Sequence, residues 1–453
     1  MKKNIVVYTS HNIVLSIVAL ASIVESVLGI LQLLGICQSL HPLYPLTGSF
    51  HNPGPFGGFV AVGMAVSIGW LVKNRNKKWE ILDIQAKVLA ILYLITLLLG
   101  TLVLPASLSR AGWLSLFVSL TVLVFNEFPL IKYFRRNRIL IVLALFLVLI
   151  CSIFTFALKP KSALGRLHIW RIECLAIAQK PLIGHGSGAV LGAYGRVQAD
   201  FFKKTERSDL TKQIAGCPEY AFNEFLKIGV EHGVIAMIAV LACLILFLYS
   251  MFINQSEAAI GAVALAIFSF FSYPFSLWQF KVIALLLCVA VLPQRGICKY
   301  LYPIFLIIML YAAVFVYINE SAPRESLFRK KYSQGYLLHL ERRYHESNYV
   351  LMEGAEISSD PMFHNIIGKN YEAQGKYKDA EYEYLQAHYM VPCRLYPLIL
   401  MMEMNVRLGY SDEALKWGEK ALTLPVNLQN DSMKGLYNRA KVCVDSLKIK
   451  GTL

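Results

Sequence analysis

Long apolar runs separated by short polar stretches dominate the first two thirds of the chain. Runs near 13–36, 56–72, 88–104, 112–126, 139–158, 233–253, 258–275, 280–293 and 301–317 each approach the roughly 20 apolar residues that a helix needs to cross a hydrocarbon core. They predict about nine membrane-spanning helices, with a long polar segment at 159–220 between the fifth and sixth. The first run is too long, and too poor in a small-residue cleavage site, for a removed signal peptide, so a retained anchor is expected. Glu25 within it is costly in lipid and is expected to face protein or water.

Beyond the last run the pattern changes. Ala380 and Ala387 recur 34 residues later as Ala414 and Ala421, and Gly375 recurs as Gly409, which is the tetratricopeptide period. Gly368, Tyr371, Ala380, Tyr384, Ala387 and Pro392 sit where two packed helices need a small contact, an aromatic plug and a helix stop. In the next unit Met402 and Gly418 replace the small and aromatic positions, and Ser411, followed by Asp412 and Glu413, is the expected cap of the second helix. Residues 325–360 and 432–449 read as helices that close the array. The predicted fold is therefore all-α: a polytopic helical membrane domain at 1–320, with a large outer loop at 159–220, and a helical tetratricopeptide-like repeat domain at 321–453.

Composition supports a bilayer as solvent: 56% of residues are hydrophobic and only 16% charged, too little charge for a soluble chain. Alternate loops hold Lys2 and Lys3, then Lys73, Arg75, Lys77, Lys78 and Lys87, then Lys132, Arg135, Arg136 and Arg138, and finally Arg295 and Lys299. The short loops between them hold only Arg110 and Lys281. The positive-inside rule puts the amino terminus in the cytoplasm and the long loop and repeat domain outside it. The net charge of +15 then needs no nucleic acid to explain it. The nine cysteines have no paired zinc-type spacing. Cys151, Cys243 and Cys288 read as small buried hydrophobes, while Cys217, Cys393 and Cys443 fall on the outer side with no pairing specified. His168, His185 and His232 lack metal-ligand spacing, so no metal and no cofactor is expected.

Four outer segments carry the candidate chemistry. They are Gly48-Ser49-Phe50-His51-Asn52-Pro53, Ser107-Leu108-Ser109-Arg110-Ala111-Gly112-Trp113, the stretch from Gly165-Arg166 through Arg171 to Gly184-His185-Gly186-Ser187-Gly188, and Ala221-Phe222-Asn223-Glu224-Phe225-Leu226 leading to Glu231 and Gly233. Taken in this order, over roughly residues 13–250, they resemble the O-antigen ligase and polymerase superfamily, which includes bacterial protein O-oligosaccharyltransferases. The resemblance implies metal-independent transfer of a glycan from an undecaprenyl-diphosphate carrier to an acceptor at the periplasmic face. That acceptor is a lipid A core, a growing glycan or a protein. The enzyme would sit in the inner membrane of a diderm bacterium, with its repeat domain periplasmic and available to a protein partner.

Breaking the sugar–diphosphate bond builds negative charge that guanidinium groups can offset through bidentate hydrogen bonds. Arg110, Arg166 and Arg171 are the expected catalytic arginines, and Glu231 the expected base. Ser109, Trp113, Gly186, Gly188, Asn223 and Glu224 are the expected substrate-binding residues. Blander readings stand beside each: a snorkelling Arg110, a solvated Arg166, a plain glycine turn, and capping carboxylates at Glu224 and Glu231. Many ligases of the superfamily place a histidine where this chain has Phe222, which cannot take a proton. A lipid-linked glycan transporter and a non-enzymatic scaffold are the competing classes; no duplication among the spans favours the former.

Overall fold

The computed structural model describes residues 2–76, 84–127, 160–253, 256–290, 324–424 and 431–451. Among them every regular element is helical. In chain order these are α1 (Lys2–Leu33), α2 (Pro53–Asn74), α3 (Ile84–Ala106), α4 (Arg110–Glu127), α5 (Pro160–Gln179), α6 (Val190–Lys204), α7 (Asp209–Ile214), α8 (Glu224–Ile253), α9 (Ala259–Phe271) and, after a 3-10 turn at Pro274–Ser276, α10 (Trp278–Val289). Then come α11 (Arg324–Leu340), α12 (Tyr344–Ile357), α13 (Met362–Ala373), α14 (Tyr377–Met390), α15 (Leu395–Arg407), α16 (Ser411–Leu422) and α17 (Asp431–Gly451). They form two compact units, one of residues 1–159, 222–225 and 238–321, the other of 160–221, 226–237 and 322–453.

In the first unit, Asn12–Leu33, Pro53–Asn74 and Ile84–Ala106 are long and apolar enough to cross a membrane, as is Glu224–Ile253, which contributes its ends here. The expected run at 112–126 is helical, but α4 carries Arg110, Asn126 and Glu127 at its ends. α9 and α10 are shorter apolar helices. The runs expected at 139–158 and 301–317 lie outside the described residues.

α2 sits at the centre, packed on α1, α3, α4 and α9. Lipid supplies no hydrophobic drive between helices, so association needs close backbone approach, and the glycines of α2 and its neighbours provide it. A Cβ on Gly112 would lie 2.7 Å from the Gly57 carbonyl carbon, and one on Gly100 2.6 Å from Met64 Sδ. Phe50, Phe59, Phe268 and Phe280 fill the adjoining layer with ring centroids 5.3–5.9 Å apart. Glu25 does face protein: it accepts from the Ser49 amide at 2.9 Å and from the Ser49 hydroxyl. Gln32 accepts from the amides of Thr47 and Gly48 at 2.9 and 2.8 Å. The segment after α1 is thereby pinned to it, and Asn52 caps α2 through the Gly54 amide at 2.8 Å. Cys243 and Cys288, expected to be buried, are exposed; the outward side of a spanning helix is as apolar as its core, so periodicity alone does not place them.

In the second unit the helices from α11 to α17 stack as successive pairs. Gly368 on α13 admits the Tyr384 ring of α14. One period on, the roles are exchanged: Met402 of α15 fills the space over Gly418 of α16, its Sδ 2.9 Å from where a Cβ would stand. The large-on-small contact that looked lost at Met402 and Gly418 is kept in mirror image. Ser411 departs from expectation. It is the first residue of α16, preceded by Tyr410, and no side-chain hydrogen bond caps the helix. Loop and repeats share contacts in this unit: Arg394 donates to Asp360 at 2.8 Å and to Cys217 Sγ at 3.0 Å, and Ser359 donates to the Pro218 carbonyl at 2.8 Å.

Gly112→Ala should lower the melting midpoint of the purified protein, an overpacking loss of about 1–3 kcal/mol. Gly435→Ala in α17, where nothing lies within 4 Å, should leave the midpoint unchanged or raise it; equal effects would contradict the packing account. A second expectation concerns pH. Burial, with Lys420 and Lys212 nearby, lowers His388 to about 3, so the folded chain keeps this imidazole neutral. The unfolded chain takes up a proton near pH 6.5, binds more protons than the folded one below that, and stability falls as pH drops. Between about pH 7 and pH 5 wild type should lose about 1–2 kcal/mol more than His388→Leu; parallel melting curves would contradict this.

Candidate functional site

In the first unit the segment Ser107–Trp113 turns tightly into α4, with Leu108 in the left-handed region at φ 51°. Ser109 caps the helix by accepting from the Gly112 amide at 3.3 Å, and its hydroxyl donates to the Gly54 carbonyl at 2.8 Å. Trp113 Nε1 donates to the Leu104 carbonyl at 2.8 Å. Both expected binding residues therefore shape the turn that presents Arg110. Arg110 is half-buried on the first helical position, where the helix dipole favours an anion over a cation. An anion there would be held by both guanidinium and dipole.

The Phe222–Glu224 turn belongs to the same unit. Phe222 lies at φ 55°, its ring edge-on to Tyr273 with centroids 5.3 Å apart. Asn223 Oδ1 accepts from the Phe225 amide at 2.9 Å and so caps α8. Glu224 is buried and accepts from the Phe275 amide at 2.7 Å. The carboxylate fastens the turn after α9 to the start of α8.

In the second unit α5 carries Arg166, His168, Arg171 and Glu173. Arg166 is half-buried, and Arg171 is exposed with its guanidinium 4.9 Å from the centre of the Phe201 ring. Arg207, which no sequence motif marks, holds a second guanidinium 4.0 Å from the same ring. His168 is buried and hydrogen-bonded to Gln198 Oε1 at 2.8 Å. Burial holds its pKa below the usual histidine value, against the Gln198 bond and helped by the Arg171 charge. Glu173 is fully buried, and burial lifts its carboxyl well above the usual range. Sequence reading gave His168 no role beyond its lack of metal-ligand spacing and did not mark Glu173, because a polar residue near an arginine carries no distinguishing pattern.

The glycine loop is held from below by α8. Gly184, Gly186 and Gly188 all have positive φ, at 69°, 101° and 80°, a conformation that glycine adopts without a side-chain penalty. The amides of His185 and Gly186 donate to the carbonyls of Val230 and Glu231 at 2.8 and 3.0 Å, and the Gly188 amide donates to Glu231 Oε1 at 3.0 Å. His185 bonds through Nε2 to the Ala176 carbonyl at 2.9 Å. At Gly233 α8 breaks, with φ 86°, and Val234 donates to the Pro181 carbonyl at 2.7 Å. Gly186, Gly188 and Glu231 are thus brought together, on the same unit as Arg166 and Arg171, whereas Ser109, Arg110, Trp113, Asn223 and Glu224 belong to the other. No group of three metal-ligating side chains occurs among the described residues.

Residues 94–241 match the family model described as O-antigen ligase. That stretch contains Arg110, Arg166, Arg171, Gly184, Gly186, Gly188, Glu224 and Glu231. No curated protein and no solved structure matches the chain.

Glu231→Gln keeps an oxygen for the Gly188 amide but cannot take a proton; Glu231→Ala keeps neither. If Glu231 acts by shaping the loop, Gln should retain function within about threefold, while Ala loses tenfold or more through the unsatisfied amide and slackened loop. Loss in both variants, at unchanged folded levels, would instead assign Glu231 as the base.

Proposed function

We propose, from a chain that belongs through residues 94–241 to the O-antigen ligase-like superfamily, that this membrane glycosyltransferase moves a glycan from an undecaprenyl-diphosphate carrier to an acceptor on the periplasmic face of a bacterial inner membrane. In this reading an acceptor hydroxyl attacks the anomeric carbon and gives its proton to Glu231, the bond from that carbon to the diphosphate oxygen breaks, and the carrier diphosphate leaves. Arg110 and Arg166, with help from Arg171, offset the charge that builds on it. The reaction is metal-independent. The observation that supports the reading is that three arginines fall within the matched region, Arg110 at the start of α4, and Arg166 and Arg171 one after the other along α5.

Phe222 favours a second reading within the superfamily. With an apolar ring packed on Tyr273 at the place where many ligases carry a histidine, the acceptor proton must go elsewhere. A polymerase or a protein O-oligosaccharyltransferase then fits as well as a strict ligase to the lipid A core. In either case the repeat helices form the periplasmic tetratricopeptide-like domain, with a protein partner as its further ligand.

The test is complementation of a deletion strain with wild type or Arg166→Ala at matched membrane levels. Wild type should restore transfer, and the variant should lose about a hundredfold or more and accumulate carrier-linked glycan. The missing product names the acceptor: bare lipid A core for a ligase, single repeat units for a polymerase, unglycosylated protein for an oligosaccharyltransferase. Full restoration by Arg166→Ala would favour a scaffold, and carrier-linked glycan confined to the cytoplasmic leaflet would favour a transporter.

A further inference from the structure

α6 has two occupied faces. Val190, Tyr194, Val197 and Phe201 join Ile172 and Ala176 of α5 in one buried cluster. On the other side Gly192 and Gly195 meet the repeat helices: Gly192 lies against the Glu356 carbonyl, and a Cβ on Gly195 would stand 2.6 Å from Met390 Cε. Arg196 adds an ion pair to Glu356 at 2.6 Å.

Gln198 lies between these faces and is 1% exposed. Its Oε1 accepts from His168 Nε2 at 2.8 Å and from the Tyr194 hydroxyl. Its Nε2 donates to the Gly216 carbonyl at 2.9 Å and to the Met390 carbonyl. Both amide protons and two acceptor directions are used. One side chain therefore joins the helix that bears Arg166 and Arg171, the loop at Gly216, and the last residue of α14. His168 follows Arg166 by two positions and precedes Arg171 by three. It must carry a proton on Nε2 to donate to the amide oxygen.

We propose that Gln198 is a positioning residue that registers α5 against the repeat helices, so that the repeat domain sets the placement of Arg166 and Arg171 for the diphosphate of the lipid-linked donor. The inference rests on the transferase reading above. It gives the repeats a ligand within their own chain, α6 of the outer loop, seated on α12 and α14. Donor use should then depend on the loop–repeat contact, and acceptor use should not.

Two measurements on full-length purified protein test it. Hydrogen exchange of the α5 amides should quicken about tenfold or more in Gln198→Leu, where buried donors and acceptors lose their partners. It should also quicken in Gly195→Leu, which pries α6 from the repeats with Gln198 intact. The amides of α2, in the other unit, should be unchanged. With undecaprenyl-diphosphate-linked glycan as probe, both variants should raise the donor KM about fivefold or more and leave the acceptor KM within about twofold. In an Arg166→Ala, Arg171→Ala background the further Gln198→Leu substitution should add almost nothing, because coupled residues are non-additive. Unchanged α5 exchange in a folded variant, or full additivity with the arginine variants, overturns the positioning role alone. No donor turnover by folded wild type overturns the transferase reading and this inference with it.

Discussion

Side chains seated on bare glycine backbone hold both units of this protein together. In the first unit Gly57 and Gly112 let α2 and α4 meet backbone to backbone, and Gly100 receives Met64. In the second, Gly368 receives Tyr384, Gly418 receives Met402, and Gly192 and Gly195 let the outer-loop helix lie on the repeats. The same device serves both units. Among spanning helices close approach replaces the missing hydrophobic drive, and among the repeat helices it makes room for large apolar side chains to be wholly buried.

Three carboxylates, Glu25, Glu224 and Glu231, are used on backbone. Glu25 accepts from the Ser49 amide, Glu224 from the Phe275 amide and Glu231 from the Gly188 amide. Each thereby fixes a turn that the glycine and arginine segments depend on. Arg171 and Arg207 show the complementary pattern: their guanidinium groups lie over one phenylalanine ring, with no carboxylate ion pair to either among the described residues.

Much of this was legible in the sequence, for definite physical reasons. Apolar runs of spanning length marked α1, α2 and α3, and the run at 112–126 marked most of α4. The recurring pairs Ala380 and Ala387, then Ala414 and Ala421, fall on α14 and α16. Less legible was whatever depends on partners distant in sequence. Met402 and Gly418 looked like defects until their contact was seen to mirror that of Gly368 and Tyr384. Gln198 reads as one polar residue in an amphipathic helix, and only Gly216 and Met390 give it meaning. The sequence set its boundary between the membrane domain, with its outer loop, and the repeats near residue 320; that 160–221 and 322–453 share one compact unit rests on contacts at a separation that leaves no periodicity to read.

The central claim is that the arginine-bearing outer segments serve a glycan leaving a lipid diphosphate. Its most direct test is reconstitution of the purified protein with labelled undecaprenyl-diphosphate-linked glycan and candidate acceptors in a bilayer, followed by analysis of the released lipid. The account predicts free undecaprenyl diphosphate in one-to-one proportion with glycosylated acceptor, in the presence of a chelator as in its absence. Folded protein that releases no carrier diphosphate with any of lipid A core, glycan or protein acceptor would contradict it.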